Sequence, residues 1–193
     1  MTATAFTDPA LGAQAAFRAL LEALARPGTP RAMGPDLPTP PARTGPGLYA
    51  AVLALADFET TLWLAPELAE AAPDLRFHLG ARLVDAPAEA GFALAGDGAA
   101  LPPLAHFAQG DDAYPDRSTT LLVEVRALRA DGPWRLTGPG IESAARLGAR
   151  GLPADFAAQW AENHARFPRG VDLFLFEGTT VVGLPRTTLI REG

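Results

Sequence analysis

Trp134-Arg135-Leu136-Thr137-Gly138-Pro139-Gly140-Ile141 is a short apolar strand that runs straight into a Gly-Pro-Gly corner. Leu136 and Ile141 can be buried on either side of that corner, and the two glycines reach backbone angles closed to other residues. Pro139 fixes its own φ and restricts Gly138 before it, so the turn is stiff. Two readings are open. The corner can simply end a strand, or its backbone N–H groups can cradle an anion. Its company further along keeps the second reading alive: Asn163, then Phe167-Pro168-Arg169-Gly170-Val171-Asp172, then Leu184-Pro185-Arg186-Thr187-Thr188.

Downstream of the corner, Gly148 and Gly151 mark an irregular stretch, and Pro153 opens a helix carrying Phe156 and Trp160 four apart. Leu173-Phe174-Leu175-Phe176, Glu177-Gly178 and Thr179 to Leu184 predict a hairpin apolar enough to lie inside a sheet. Upstream, residues 118–128 alternate and predict a strand. Residues 10–25 predict an amphipathic helix with a core-facing stripe of Phe17, Leu20, Leu21 and Leu24, capped by Asp8 with Pro9 at the first helical position. Residues 27–47 carry seven prolines and little periodicity, which predicts a long surface loop or an arm laid across a neighbour. Pro46 starts a second helix that runs to Asp57. Glu59 to Leu64, Leu75 to Leu79 and Gly91 to Leu94 read as strands, with short helices near 66–72 and 101–109. Helices and strands alternate without an internal repeat, so the expected architecture is a single-domain α/β sandwich over residues 1–193 with a mixed sheet.

Composition narrows the chemistry. Hydrophobic residues make up 48% of the 193, enough for a buried core, and the three Trp and ten Phe leave apolar surface to spare for an interface. No run approaches the length that spans a bilayer, and no secretion signal is expected. The chain has no cysteine, which excludes disulfides, Cys-ligated metal clusters and thiol catalysis, and the expected compartment is the cytoplasm. A net charge of −6 argues against general nucleic-acid binding. All sixteen basic residues are Arg, so no side chain can form a Schiff base or serve as a P-loop lysine.

Several residues stand out as site candidates. Arg186, flanked by Pro185 and Thr187, suits a phosphate or phosphonate, or equally an Asp or a helix end within the fold. Gly138, Gly140, Arg186 and Thr187 are therefore the candidates for anion binding or docking. His78, His106 and His164 show no metal-ligand spacing, so no metal site is expected. Asp111, Asp112 and Asp116 around Tyr114-Pro115 read as a solvated turn. No nucleophile has a paired His–Asp signature, and the catalytic residues stay unassigned.

Taken together the motifs resemble the PhnH family, the H subunit of the bacterial carbon–phosphorus lyase system. The matching pieces include Ala25-Arg26-Pro27-Gly28, Leu53-Ala54-Leu55-Ala56-Asp57-Phe58-Glu59-Thr60, and the three motifs around Gly138, Gly170 and Arg186. They occur in family order across nearly the whole chain. Departures lie in the middle, at Tyr114-Pro115-Asp116 and Phe77-His78-Leu79-Gly80. The resemblance implies a fold like the large domain of pyridoxal-phosphate-dependent transferases, without that cofactor. It implies a homodimer in isolation and a complex with G, I and J type subunits. That complex would form ribose 1-alkylphosphonate 5-triphosphate from a nucleoside triphosphate and an alkylphosphonate. The chain would be an essential, non-catalytic subunit, or alternatively a direct catalytic or anion-binding contributor.

Overall fold

The computed structural model describes residues 3–193. Helix α1 (Pro9–Ala25) begins where Asp8 accepts hydrogen bonds from the N–H groups of Ala10 and Leu11, both at 3.0 Å. In chain order there follow β1 (Arg31–Ala32), α2 (Pro46–Leu55), β2 (Thr61–Leu64), α3 (Ala72–Leu79), β3 (Arg82–Val84), β4 (Phe92–Ala95) and β5 (Thr120–Glu124). The remainder is β6 (Ala127–Thr137), β7 (Ala145–Arg150), α4 (Phe156–Ala165), β8 (Asp172–Glu177), β9 (Thr180–Leu184) and β10 (Leu189–Glu192).

Seven strands form one mixed sheet in the order β1-β9-β8-β5-β4-β2-β3, in which β3, β2, β4, β5 and β8 run parallel. The hairpin partner β9 pairs antiparallel with β8, and β1 antiparallel with β9. A second, antiparallel sheet has the order β10-β6-β7. Successive residues of a strand point to opposite faces, and in β5 Leu121, Leu122 and Val123 are all fully buried. Leu122 joins Phe174 and Phe176 under α1, α2 and α3, together with Leu20, Tyr49 and Leu75. Leu121 and Val123 join Leu173 and Leu175 on the other face, under Leu136 and Leu147 of the small sheet and Phe156 and Trp160 of α4. The molecule is thus three layers: helices, the large sheet, and the small sheet with α4. This is a mixed α/β architecture, and no helix among the described residues is long and apolar enough to cross a membrane.

Four sequence expectations are corrected. Leu75 to Leu79, read as a strand, lies in α3, with Pro73 in its first turn and Gly80 as its left-handed cap. Residues 101–109 hold only one 3₁₀ turn, Leu104–His106, whose leading N–H is taken by the Gln159 side chain at 2.9 Å. The stretch after the Gly-Pro-Gly corner is strand β7, pairing with β6 around a bulge. The buried face of α1 is Gly12, Ala16, Ala19, Leu20 and Ala23, while Phe17 and Leu21 stay 50% and 57% exposed. Small residues face inward because α1 lies almost on the backbone of β9: a Cβ at Gly183 would sit 2.6 Å from Ala23. The Pro-rich residues 27–47, expected as a surface loop or an arm, are fastened to their own chain at two points. Met33 is buried and donates to the Thr179 carbonyl at 2.9 Å, and Thr39 is tied to Thr4 by two hydrogen bonds at 3.0 and 3.1 Å.

Candidate functional site

Arg186 follows β9 by two residues and turns its side chain toward the start of β8. Its backbone N–H donates to Asp172 Oδ1 at 2.7 Å and its Nε donates to the same carboxylate at 3.1 and 3.2 Å. Nη2 donates to Asp172 Oδ2 and, at 2.6 Å, to Ser118 Oγ. Nη1 donates to the carbonyls of Pro115 at 2.9 Å and Pro168 at 3.3 Å. Five N–H donors are all that a guanidinium has, and internal acceptors take every one. The pair is largely buried, with side chains 12% and 24% exposed. Arg186 therefore ties together the loop before β5, the loop before β8 and the end of β9, and an anion at that position would have to displace Asp172.

The residues before β8 reinforce the same knot. Asn163, 3% exposed on α4, accepts from the Val171 N–H at 2.8 Å and donates to the Val171 carbonyl at 3.0 Å. His164 Nδ1 lies 3.0 Å from the Arg186 carbonyl, and the buried Trp160 donates to the Thr188 carbonyl at 2.8 Å. Each bond satisfies a backbone group that would otherwise be buried unpaired.

The Gly-Pro-Gly corner sits behind this knot. Gly138 (φ 139°) lies under the backbone of Thr187, and a Cβ there would meet the Thr187 carbonyl at 2.7 Å. Gly140 (φ 81°) faces elsewhere, pressed on the Ala25 carbonyl at the end of α1 and 3.0 Å from Pro27 at the Cβ position. The Ile141 N–H is spent on the Gly138 carbonyl at 3.2 Å, and Pro139 has none to offer. Of the four candidates, Gly138 and Thr187 are in contact, Arg186 adjoins them with its guanidinium directed away, and Gly140 joins the corner to α1.

Glu124 at the carboxyl end of β5 was not a sequence candidate; alternation made it an ordinary outward residue. Its Oε1 accepts from the Gly178 N–H at 3.0 Å, while Oε2 is buried without a partner, and the carboxyl lies flat against Gly45 at the start of α2. Burial pushes its pKa up from 4.5 to about 7, with the Gly178 hydrogen bond opposing the shift. Between those values the folded chain holds a proton that the unfolded chain has released. Glu124 thus supports folding most below about pH 4.5, and that support is lost as pH rises through 7. Glu124→Gln should stabilise the chain by about 2 kcal/mol at pH 8, allowing for partial exposure, and do little at pH 5. Urea unfolding at the two pH values measures this, and equal midpoint changes at both would refute it.

The remaining candidates resolve simply. Asp111 caps its own turn, accepting from Ala113 and Tyr114 N–H at 2.9 and 2.7 Å, and Asp112 pairs with Arg169 at 3.2 Å. Among the described residues no group of three or more His, Asp or Glu could hold a metal ion.

The family described as "Bacterial phosphonate metabolism protein (PhnH)" matches residues 4–191. The chain is 44% identical over 190 residues to "Alpha-D-ribose 1-methylphosphonate 5-triphosphate synthase subunit PhnH" of Rhizobium meliloti (strain 1021), covering 97% of this chain and 94% of that protein. It is also 39% identical over 77 residues to "Putative C-P lyase subunit protein HtxG" of Stutzerimonas stutzeri, covering 40% of each chain.

Proposed function

Because this chain belongs to the PhnH family of bacterial phosphonate metabolism proteins, we propose that it is a subunit of a carbon–phosphorus lyase core complex that contributes structure and no catalytic group. The complex attaches an alkylphosphonate to the ribose of a nucleoside triphosphate, displacing the base, to give ribose 1-alkylphosphonate 5-triphosphate. The observation that carries the structural role is the closure of Arg186. The basic side chain best suited to a phosphonate spends all its donors inside the fold. Companion subunits of the G, I and J type supply the reacting groups, the chain is a homodimer when isolated, and it works in the cytoplasm. The mixed sheet supports reading the fold as that of the large domain of pyridoxal-phosphate transferases. The chain uses no such cofactor, since without lysine it has no side chain to hold one through a Schiff base.

Glu124 favours a second reading, a direct catalytic contribution. A carboxyl tuned to about 7 at the carboxyl end of a parallel strand is where and how an acid–base group would sit. Against it, Oε2 is buried on Gly45 and Oε1 is held by Gly178. The two readings part in one experiment. The pure chain, incubated with a nucleoside triphosphate and methylphosphonate, should yield no product and should sediment as a dimer; adding the G, I and J type subunits should restore product. Turnover by the pure chain, or its loss in a complex carrying Glu124→Gln, would establish the catalytic reading instead.

A further inference from the structure

The parallel strands β2, β4, β5 and β8 begin at one edge of the sheet, with Leu62, Phe92, Thr120 and Asp172 in register. That edge gathers most of the large apolar side chains that the fold leaves in solvent. Phe58, 73% exposed, precedes β2; Tyr114 precedes β5; Phe167, 60% exposed, precedes β8. Phe77, 83% exposed, lies near the end of α3, three residues before Gly80, which packs on Phe58. Phe17 and Leu21 of α1 complete the row by lining a groove of about 190 Å³ whose floor is Phe92, Phe174 and Asp172. Asp172 also borders the hollow formed by Phe167, Pro168 and Arg186, so the groove runs into the Arg186 knot.

Ligands of open α/β sheets bind outside the carboxyl ends of the strands, whereas this apolar surface lies at the amino ends. The groove is too small for a substrate-sized molecule, and exposed aromatics gathered at one edge mark a protein interface. The charge around the edge says which kind. Asp57 and Glu59 before β2, Glu89 before β4, and Asp111 and Asp116 before β5 are all exposed. Of the neighbouring arginines, Arg169 pairs with Asp112 and Arg186 is spent within the fold, which leaves Arg117, 3.9 Å over the Tyr114 ring, and the exposed Arg82 at the start of β3, fewer than the five carboxylates. A second copy of this chain would bring the same carboxylates face to face, which opposes association.

We infer that the amino-terminal edge of the parallel strands, from Phe17 and Leu21 to Phe58 and Phe167, is the docking surface for a different protein chain, one that presents an apolar strip rimmed by arginine or lysine. The inference rests on the subunit reading above and gives it a location. Arg186 and Asp172 then act as positioning residues, holding the loops before β5 and β8 in the shape that the partner covers.

The test co-expresses the chain with the G, I and J type subunits and measures capture of each. Phe17→Glu with Leu21→Glu replaces half-exposed side chains, so circular dichroism and thermal unfolding should match the parent while capture falls at least tenfold. Glu59→Arg with Asp116→Arg should weaken capture and reduce its salt dependence. Arg126→Glu, at the carboxyl edge after β5, should capture as the parent does. Normal capture by Phe17→Glu with Leu21→Glu, or loss of self-association alone in that variant, overturns the inference and leaves the subunit reading standing. Loss of capture in Arg126→Glu moves the surface to the other edge, with the same consequence. Failure of the parent chain to capture any companion overturns the subunit reading and this inference together.

Discussion

Arg186→Ala should destabilise the chain by about 3 kcal/mol, the scale found when one partner of a buried ion pair is removed. The substitution leaves the largely buried Asp172 carboxylate facing no cation and strips Ser118 Oγ and the carbonyls of Pro115 and Pro168 of their donor. Arg186→Lys should recover only part of the loss, because an ammonium has three donors and no planar fork to span the carboxylate and two carbonyls. In urea the midpoint should fall by about 1–2 M for Arg186→Ala, given the slopes usual for small proteins. An unchanged midpoint would mean that these bonds contribute nothing to the fold.

Gly140→Val should cost a comparable amount, about 2–6 kcal/mol. At φ 81° a β-branched residue is strained by about 1–3 kcal/mol. Its Cβ would also meet the Ala25 carbonyl and Pro27 Cδ, adding about 1–3 kcal/mol of overpacking. Because that contact seats the end of α1 against the small sheet, the damage should spread to the α1 layer. Hydrogen exchange of α1 amides, compared with those of β5, checks this: protection should drop in α1 first. Uniform protection with a normal melting temperature would contradict the role given to the corner.

Much of this fold was legible in local pattern. The Asp8-Pro9 start of α1 and the β8–β9 hairpin each carry their signal within a few residues, whereas the single strand expected over 118–128 divides into β5, buried on both faces and ending at Glu124, and the start of β6 at Ala127 in the second sheet. What was not legible depends on distant partners. Residues 75–79, Leu-Arg-Phe-His-Leu, alternate apolar and polar as a strand would over too short a span to decide, and the deciding signals, Pro73 and Gly80, lie at the flanks. Strand β7 shows little apolar content because its Arg146 and Arg150 alternate with buried Leu147 only once β6 covers it. The face of α1 was half right: Leu20 is buried and Leu24 packs on the core, while Phe17 and Leu21 stay exposed because the close approach to β9 is made by alanines. In the site, the motifs were visible in order, yet Arg186 reaches Asp172 across 14 residues and Ser118 across 68. No spacing rule anticipates such pairs. Glu124 gave no signal at all, since its burial comes from Gly45 and Gly178, both remote in sequence.

The central claim is that this chain serves the synthase complex through structure and not through a reacting group. The most direct measurement is turnover of a nucleoside triphosphate with methylphosphonate per assembled complex, comparing Arg186→Ala with the parent at a temperature where both complexes persist. The amount of assembled complex should fall while turnover per complex stays within a few-fold of the parent. A drop of more than about a hundredfold per complex, about 2.7 kcal/mol in the barrier, with assembly intact, would place Arg186 in the chemistry and contradict the claim.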